Sequence, residues 1–129
     1  MNFPKELRYT KTHEWVRKEG DRAIVGISEY AQHEISDVVF IELPHVGNNV
    51  EQGKSVTIVE SVKAAFDIYS PVSGTIKTIN TTLESNPALI NQDPYGKGWL
   101  FELTAIKPEE LNSLMTAEQY EHMIHQSAS

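Results

Sequence analysis

Apolar positions in this chain fall in short β-branched and aromatic runs at residues 15–16, 23–27, 38–43, 56–59, 67–69, 74–76 and 99–103. Gly, Pro, Asn and Ser separate the runs, which is the pattern of short strands joined by tight turns. Three helices are predicted around them. Ser28 is an N-cap for a helix over 29–35, with Glu29 in its first turn. Pro108 suits the first position of a second helix carrying Leu111, Leu114 and Met115. Thr116 and Gln119 form a capping box for a third, with Tyr120, Met123 and Ile124 on one face. The pattern therefore predicts a mainly β (α+β) fold of two small antiparallel sheets with short helices outside.

A faint internal echo accompanies the strands. Pro44-His45-Val46-Gly47 and Pro71-Val72-Ser73-Gly74 share P-x-x-G beside β-rich sequence, so the two stretches are candidates for related hairpins. The echo by itself decides nothing.

At 129 residues the chain has room for one ordinary domain, read here as 1–129, with a β-rich body over 7–105 and C-terminal helices over 106–125. A domain of this size buries roughly two thirds of its unfolded surface, enough for a core without staples. No cysteine is present, which removes a disulfide framework, a thiol nucleophile and a cysteine-ligated metal centre. Residues 1–6 hold no apolar stretch and no run approaches the ~20 residues of a membrane span, so neither a secretory signal nor a membrane partner is expected. Charge is uneven. Of 11 basic and 18 acidic groups, six basic and four acidic fall in residues 1–22, leaving five and fourteen for the rest. An acidic body repels phosphate backbones, so nucleic acid is not an expected partner.

The segment 55–76 changes the picture from fold to chemistry. Lys63 is its one basic residue, followed by the small Ala64 and Ala65 and flanked on both sides by strand-like sequence. That describes a hairpin whose tip presents a lysine with little bulk after it. One alternative pairs Lys63 with Glu60 and Asp67 on a helix. The β-branched run at 56–59 argues against it. A second alternative is an ordinary solvated turn lysine.

Glu60-Ser61-Val62-Lys63-Ala64, followed by Asp67-Ile68-Tyr69-Ser70-Pro71-Val72-Ser73-Gly74, resembles the lipoyl-attachment segment of the glycine cleavage system H-protein family. Tyr9-Thr10, His13-Glu14-Trp15-Val16, Val25-Gly26-Ile27, Tyr30-Ala31-Gln32 and Asp37-Val38-Val39-Phe40-Ile41-Glu42-Leu43-Pro44 are similar to the family in the same order. So are Asn86-Pro87, Leu89-Ile90-Asn91 and Asp93-Pro94-Tyr95-Gly96-Lys97-Gly98-Trp99, and the resemblance spans residues 7–125. Biotin carriers usually flank the modified lysine with Met, and lipoyl domains of 2-oxoacid dehydrogenases usually precede it with Asp. Here the neighbours are Val62 and Ala64. Phe66 departs from the family by being bulkier than the residue expected there.

The resemblance implies a lipoyl/biotinyl-type barrel-sandwich hybrid, with lipoate covalently attached to Lys63 within the motif Glu60, Ser61, Val62 and Ala64. It further implies a non-catalytic carrier of the aminomethyl group of glycine. The expected partners are the pyridoxal-phosphate glycine decarboxylase (P-protein), the tetrahydrofolate-dependent aminomethyltransferase (T-protein), dihydrolipoamide dehydrogenase (L-protein) and lipoate-attaching enzymes. With no thiol of its own, such a protein leaves all sulfur chemistry to the cofactor. The expected location is the bacterial cytoplasm, or the mitochondrial matrix for a mature eukaryotic chain. The second function considered is a lipoate relay or scaffold, which needs the same modified lysine.

A loaded arm ends in an ammonium group and is open to hydrolysis, so a carrier is expected to fold it into a cleft with an anionic acceptor. Glu14 and Asp67 are the candidates, Glu14 because Thr12-His13-Glu14-Trp15 resembles a segment lining the family's cleft. No metal is expected: His122 and His125 lie three apart on the last predicted helix without a third ligand. His13-Glu14 has no nucleophile beside it, so an acid–base enzyme is not expected either.

Overall fold

The computed structural model describes residues 1–127, and among them nine strands build two antiparallel sheets. In chain order the first strands are β1 (Arg8–Tyr9), β2 (Glu14–Glu19) and β3 (Arg22–Ile27), then helix α1 (Glu29–Ile35). Strands β4 (Val38–Glu42), β5 (Asn49–Val50), β6 (Ser55–Ser61), β7 (Ala65–Tyr69) and β8 (Gly74–Ile79) follow. Two helical turns, α2 (Thr82–Ser85) and α3 (Leu89–Gln92), precede β9 (Phe101–Thr104), and helix α4 (Ala117–Ser127) closes the described chain. One sheet runs β1-β2-β3-β9-β8-β5 and the other β4-β6-β7. The expected pair of small antiparallel sheets with flanking helices is present, as two open sheets.

The main core lies between the sheets. Val16, Val25, Ile76 and Leu103 of the first face Val38, Ile41, Val59 and Ile68 of the second, and all eight are buried. A second apolar cluster covers the other side of the larger sheet, where Tyr9 and Trp15 pack beneath Ala117, Tyr120 and Ile124 of α4. Successive side chains of a strand leave on opposite faces. Trp15 and Val16 therefore enter different cores, and both are at most 1% exposed. Gly26 sits directly across from Trp15 in the β2–β3 pairing. A Cβ there would come within 2.6 Å of the indole, so only glycine leaves the ring its place.

Local signals account for the helices that frame the site. Ser28 caps α1 by accepting from Ala31 N, and Glu29 sits in the first turn. The capping box of α4 is reciprocal: Thr116 N donates to Gln119 Oε1 at 2.9 Å, and Gln119 N donates to Thr116 Oγ1 at 3.2 Å. The helix expected from Pro108 forms differently, as a 3₁₀ segment over Pro108–Ser113. Its growth stops because Met115 joins the edge of β1, exchanging both backbone hydrogen bonds with Tyr9 at 2.9 Å. Turns α2 and α3 have four residues each and no side-chain cap. They are held instead by the fully buried Leu83 and Ile90, too short for any periodicity to reveal.

The two P-x-x-G stretches lead into paired strands: Gly47 N donates to Ile76 O, and β5 pairs with β8. Their glycines serve different needs. Gly47 has φ +94 in open space, whereas a Cβ on Gly74 would lie 2.8 Å from Thr104 O.

Candidate functional site

Strands β6 and β7 run into a three-residue tip, Val62-Lys63-Ala64, with Glu60 opposite Ala65 at the last rung. Ser61 organises that tip. Its N–H donates to Ala64 O at 2.9 Å, and its hydroxyl oxygen accepts from Lys63 N at 3.1 Å and Ala64 N at 3.3 Å. Amides that so tight a turn leaves unpaired are thus satisfied by one side chain. Val62 N donates to Asp37 O at 2.9 Å and pins the tip to the residue before β4. Glu60, Val62, Lys63 and Ala64 are all exposed. Strand geometry removes the helical pairing of Lys63 with Glu60 and Asp67. Lys63 makes no ion pair among the described residues, and its ammonium donates to Glu34 O of α1 at 2.9 Å.

A cleft of about 260 Å³ lies between α1 and β7, next to this tip. Thr12, His13, Tyr30, Glu34 and Asp67 supply its polar edges, and Ile27, Ala31, Ile35, Phe66 and Ile68 its apolar walls. Alternation along β7 puts Phe66 and Ile68 on one face, so the bulky Phe66 is accommodated as cleft wall, packed against the main core. Asp67 borders the cleft from β7, but its side chain leaves the strand on the opposite face from Phe66 and Ile68, exposed, and accepts from Ser55 Oγ at 2.9 Å.

Glu14 is fully buried and does not itself line the cleft. Thr12, which does, donates its hydroxyl to Glu14 Oε1; Thr10 donates to the same oxygen, and Tyr69 N donates to Oε2 at 3.0 Å. Burial pushes the Glu14 carboxyl above its ordinary value, outweighing the hydrogen bonds from Thr10, Thr12 and Tyr69 that pull it down. Of the two carboxylates expected at the cleft, that of Asp67 thus stands at its rim, turned toward Ser55, and that of Glu14 lies behind Thr12.

His13 has φ +79, a left-handed conformation that is costly for a residue with a side chain. Backbone hydrogen bonds hold it there, from His13 N to Thr10 O at 3.1 Å and from Ser28 N to His13 O at 3.0 Å. Its Nδ1 lies 2.8 Å from the Tyr120 hydroxyl, 107 positions along the chain. Burial lowers the histidine's pKa, with Glu34 opposing. Reading the sequence did not single out Tyr30 or Glu34 as cleft residues, and it named Thr12 and His13 only as part of the segment around Glu14. The Thr10-x-Thr12-x-Glu14 spacing was a usable signal, since it sets two hydroxyls near one carboxylate. His122 and His125 are exposed on α4 and interact along it, with Gln126 and Glu121.

Two antiparallel sheets with an exposed lysine at the tip of a tight hairpin define a class of small β-rich domains. Within that class the chain belongs to the glycine cleavage H-protein family, whose model matches residues 7–127. The glycine cleavage system H protein of Thermus thermophilus is 51% identical over 128 residues, 99% of this chain and 100% of its own length. That of Methylacidiphilum infernorum is 53% identical over 124 residues, 96% of this chain and 97% of its own. Among solved structures, a glycine cleavage system H protein from Mycobacterium marinum superposes with a TM-score of 0.86 at 37% identity. It covers 95% of this chain and 99% of the other. The family is a carrier component of the glycine cleavage system and implies a lipoyl carrier role. No helix among the described residues is long and apolar enough to cross a membrane.

Proposed function

We propose that Lys63 carries lipoate as an amide and that the chain, as one carrier domain, shuttles the aminomethyl group of glycine in the cytoplasm. The observation that carries the reading is the setting of Lys63: an exposed amine at a side-chain-locked tip, with no ion pair among the described residues, beside a half-apolar cleft. The residues fit the group. Ala64 and Ala65 leave the amine open to a lipoate-attaching enzyme, and acylation removes a charge that no carboxylate neutralises. When attached, the lipoyl group supplies a disulfide that takes up the aminomethyl group from the P-protein, offers it to the T-protein and returns as dithiol to the L-protein. The chain performs none of these steps and contributes position and shelter.

Ser61 fixes the tip from which the arm extends. Ile35, Phe66 and Ile68 give the arm's methylenes an apolar wall that displaces water. Asp67 offers a carboxylate to a cationic group brought into the cleft, with Glu14 behind Thr12 as the second anion. Enzymatic lipoylation followed by intact mass and peptide mapping tests the attachment. Modification of Lys63 alone among the eight lysines is expected. Modification of Lys54 or Lys77 with Lys63 untouched overturns it. Glycine cleavage reconstituted with the P-, T- and L-proteins separates the shuttle from a lipoate relay, which would show no turnover. Decay of the aminomethylated protein, measured without partner enzymes, should accelerate in Glu14→Gln and Asp67→Asn; unchanged release of formaldehyde in both removes the proposed role of these carboxylates.

A further inference from the structure

Three hydroxyl and imidazole groups far apart in sequence meet behind the cleft. Tyr120 of α4 places its hydroxyl 2.6 Å from Ser28 Oγ and 2.8 Å from His13 Nδ1. Ser28 Oγ also accepts from Ala31 N at 3.1 Å, as the N-cap of α1. Ser28 is fully buried, so each proton in this chain needs an acceptor within it. The Ser28 hydroxyl proton has one available acceptor, the Tyr120 oxygen. The Tyr120 proton must then go to His13 Nδ1. In the reverse order, with Nδ1–H donating to Tyr120 and Tyr120 to Ser28, the Ser28 proton is left buried without a partner. The accounting selects the first order, and it makes His13 a neutral imidazole whose proton is on Nε2. Nε2 has no hydrogen-bond partner among the described residues; His13 lines the cleft, and its ring lies 5.0 Å from that of Tyr30, another lining residue.

We propose that Tyr120 is a positioning residue for the arm cleft: through the Ser28–Tyr120–His13 chain, helix α4 holds His13 as the Nε2–H tautomer, a hydrogen-bond donor for acceptor atoms of the arm. This rests on the lipoyl reading and extends it by giving the cleft two chemically distinct sides. A neutral N–H donor does not accept a hydrogen bond from an ammonium group, so the cationic end of a loaded arm is directed away from His13, toward the acidic rim of Glu34 and Asp67, and its uncharged acceptor atoms to His13. The same chain resists protonation of His13, because a proton on Nδ1 reverses both hydrogen bonds and strands the Ser28 hydroxyl. The groups around the imidazole are Glu34 and Tyr30 of α1, the latter with its ring centroid 5.0 Å away, Tyr120 of α4, and Asp67 across the cleft. The lowered pKa of His13 agrees with this arrangement, with burial as its main cause and Glu34 opposing.

Nitrogen-15 NMR of the imidazole ring in the unmodified full chain tests the tautomer without any cofactor. The expected result is one protonated nitrogen at Nε2 and an unprotonated Nδ1 at neutral pH; a proton on Nδ1 overturns the proposal outright. Tyr120→Phe keeps the ring that stacks on Tyr9 at 4.6 Å and deletes the hydroxyl. In that variant His13 should show both tautomers and titrate nearer the ordinary histidine value, and unchanged tautomer and titration overturn the positioning role. In the lipoylated protein the His13 Nε2 signal should shift. The aminomethylated Tyr120→Phe protein should decay faster, by about twofold for an equal tautomer mixture and about fivefold for loss of one whole ordinary hydrogen bond. A His13 signal unmoved by lipoylation, with Lys63 modified according to mass, overturns the contact while the carrier reading stands. A chain that takes no lipoyl group at Lys63 fails in the mass measurement and overturns the carrier reading instead.

Discussion

Replacing Glu14 by alanine removes the acceptor of Tyr69 N at 3.0 Å and of the Thr10 and Thr12 hydroxyls, at a position with no solvent exposure. A stranded buried backbone N–H costs about 1–3 kcal/mol. The two hydroxyls lie 3.2 Å apart and can turn to each other, so they add less. Relief of the buried carboxylate offsets part of the loss, and the net expectation is destabilisation of about 2–4 kcal/mol. In a domain of this size each kcal/mol lowers Tm by roughly 4 °C. Glu14→Gln keeps an oxygen for Tyr69 N and turns its amide toward hydroxyls that can rotate to accept, so it should cost about 1 kcal/mol or less. The pH dependence separates these effects. The folded pKa of Glu14 lies above its ordinary 4.5, so the stability tied to its protonation is fully present below about pH 4.5. It is lost as pH rises through the folded value. Urea titrations of the wild type and both variants from pH 4 to 8 are the assay. Wild type should lose stability relative to Glu14→Gln as pH rises, and the deficit of Glu14→Ala should shrink in step. An alanine variant within about 0.5 kcal/mol of wild type throughout, or a wild-type advantage over glutamine that grows with pH, refutes the reasoning.

Lys63→Arg should leave stability within about 0.5 kcal/mol of wild type, since the residue is exposed at a turn, and should abolish lipoylation as read by intact mass. Gly26→Ala should cost about 1–3 kcal/mol by overpacking against Trp15, visible as a lower urea midpoint and an altered tryptophan fluorescence; an unchanged midpoint contradicts the close contact. His13 has a folded pKa below its ordinary 6.5, so its contribution is present above about pH 6.5 and lost as pH falls through the folded value. Wild type should therefore lose stability relative to His13→Asn on acidification below that point, with asparagine chosen because it tolerates positive φ.

Much of the site's frame was legible because the forces that build it act over a few residues. The β-branched runs at 56–59 and 67–69 flank small residues and announce the hairpin that carries Lys63, and β6 and β7 form with the tip between them. Ser28 capping α1 and the Thr116–Gln119 box starting α4 are likewise local hydrogen bonds readable from residue type and spacing. Turns α2 and α3 were not legible, because their stability comes from burying Leu83 and Ile90 rather than from pattern or caps.

The sequence alone determined the longer strands, helices α1 and α4, the lysine between two strand-like runs and the family it resembles, since propensity, capping and motif are carried by neighbours along the chain. Tertiary structure decided the rest. It paired β3 with β9 and β5 with β8, stood Asp67 at the cleft rim, and sank Glu14 behind Thr12. It also joined His13 to Tyr120 across 107 positions. Such contacts form only when distant segments are packed together, and burial there changes what a carboxylate or an imidazole can do in ways its residue type does not disclose.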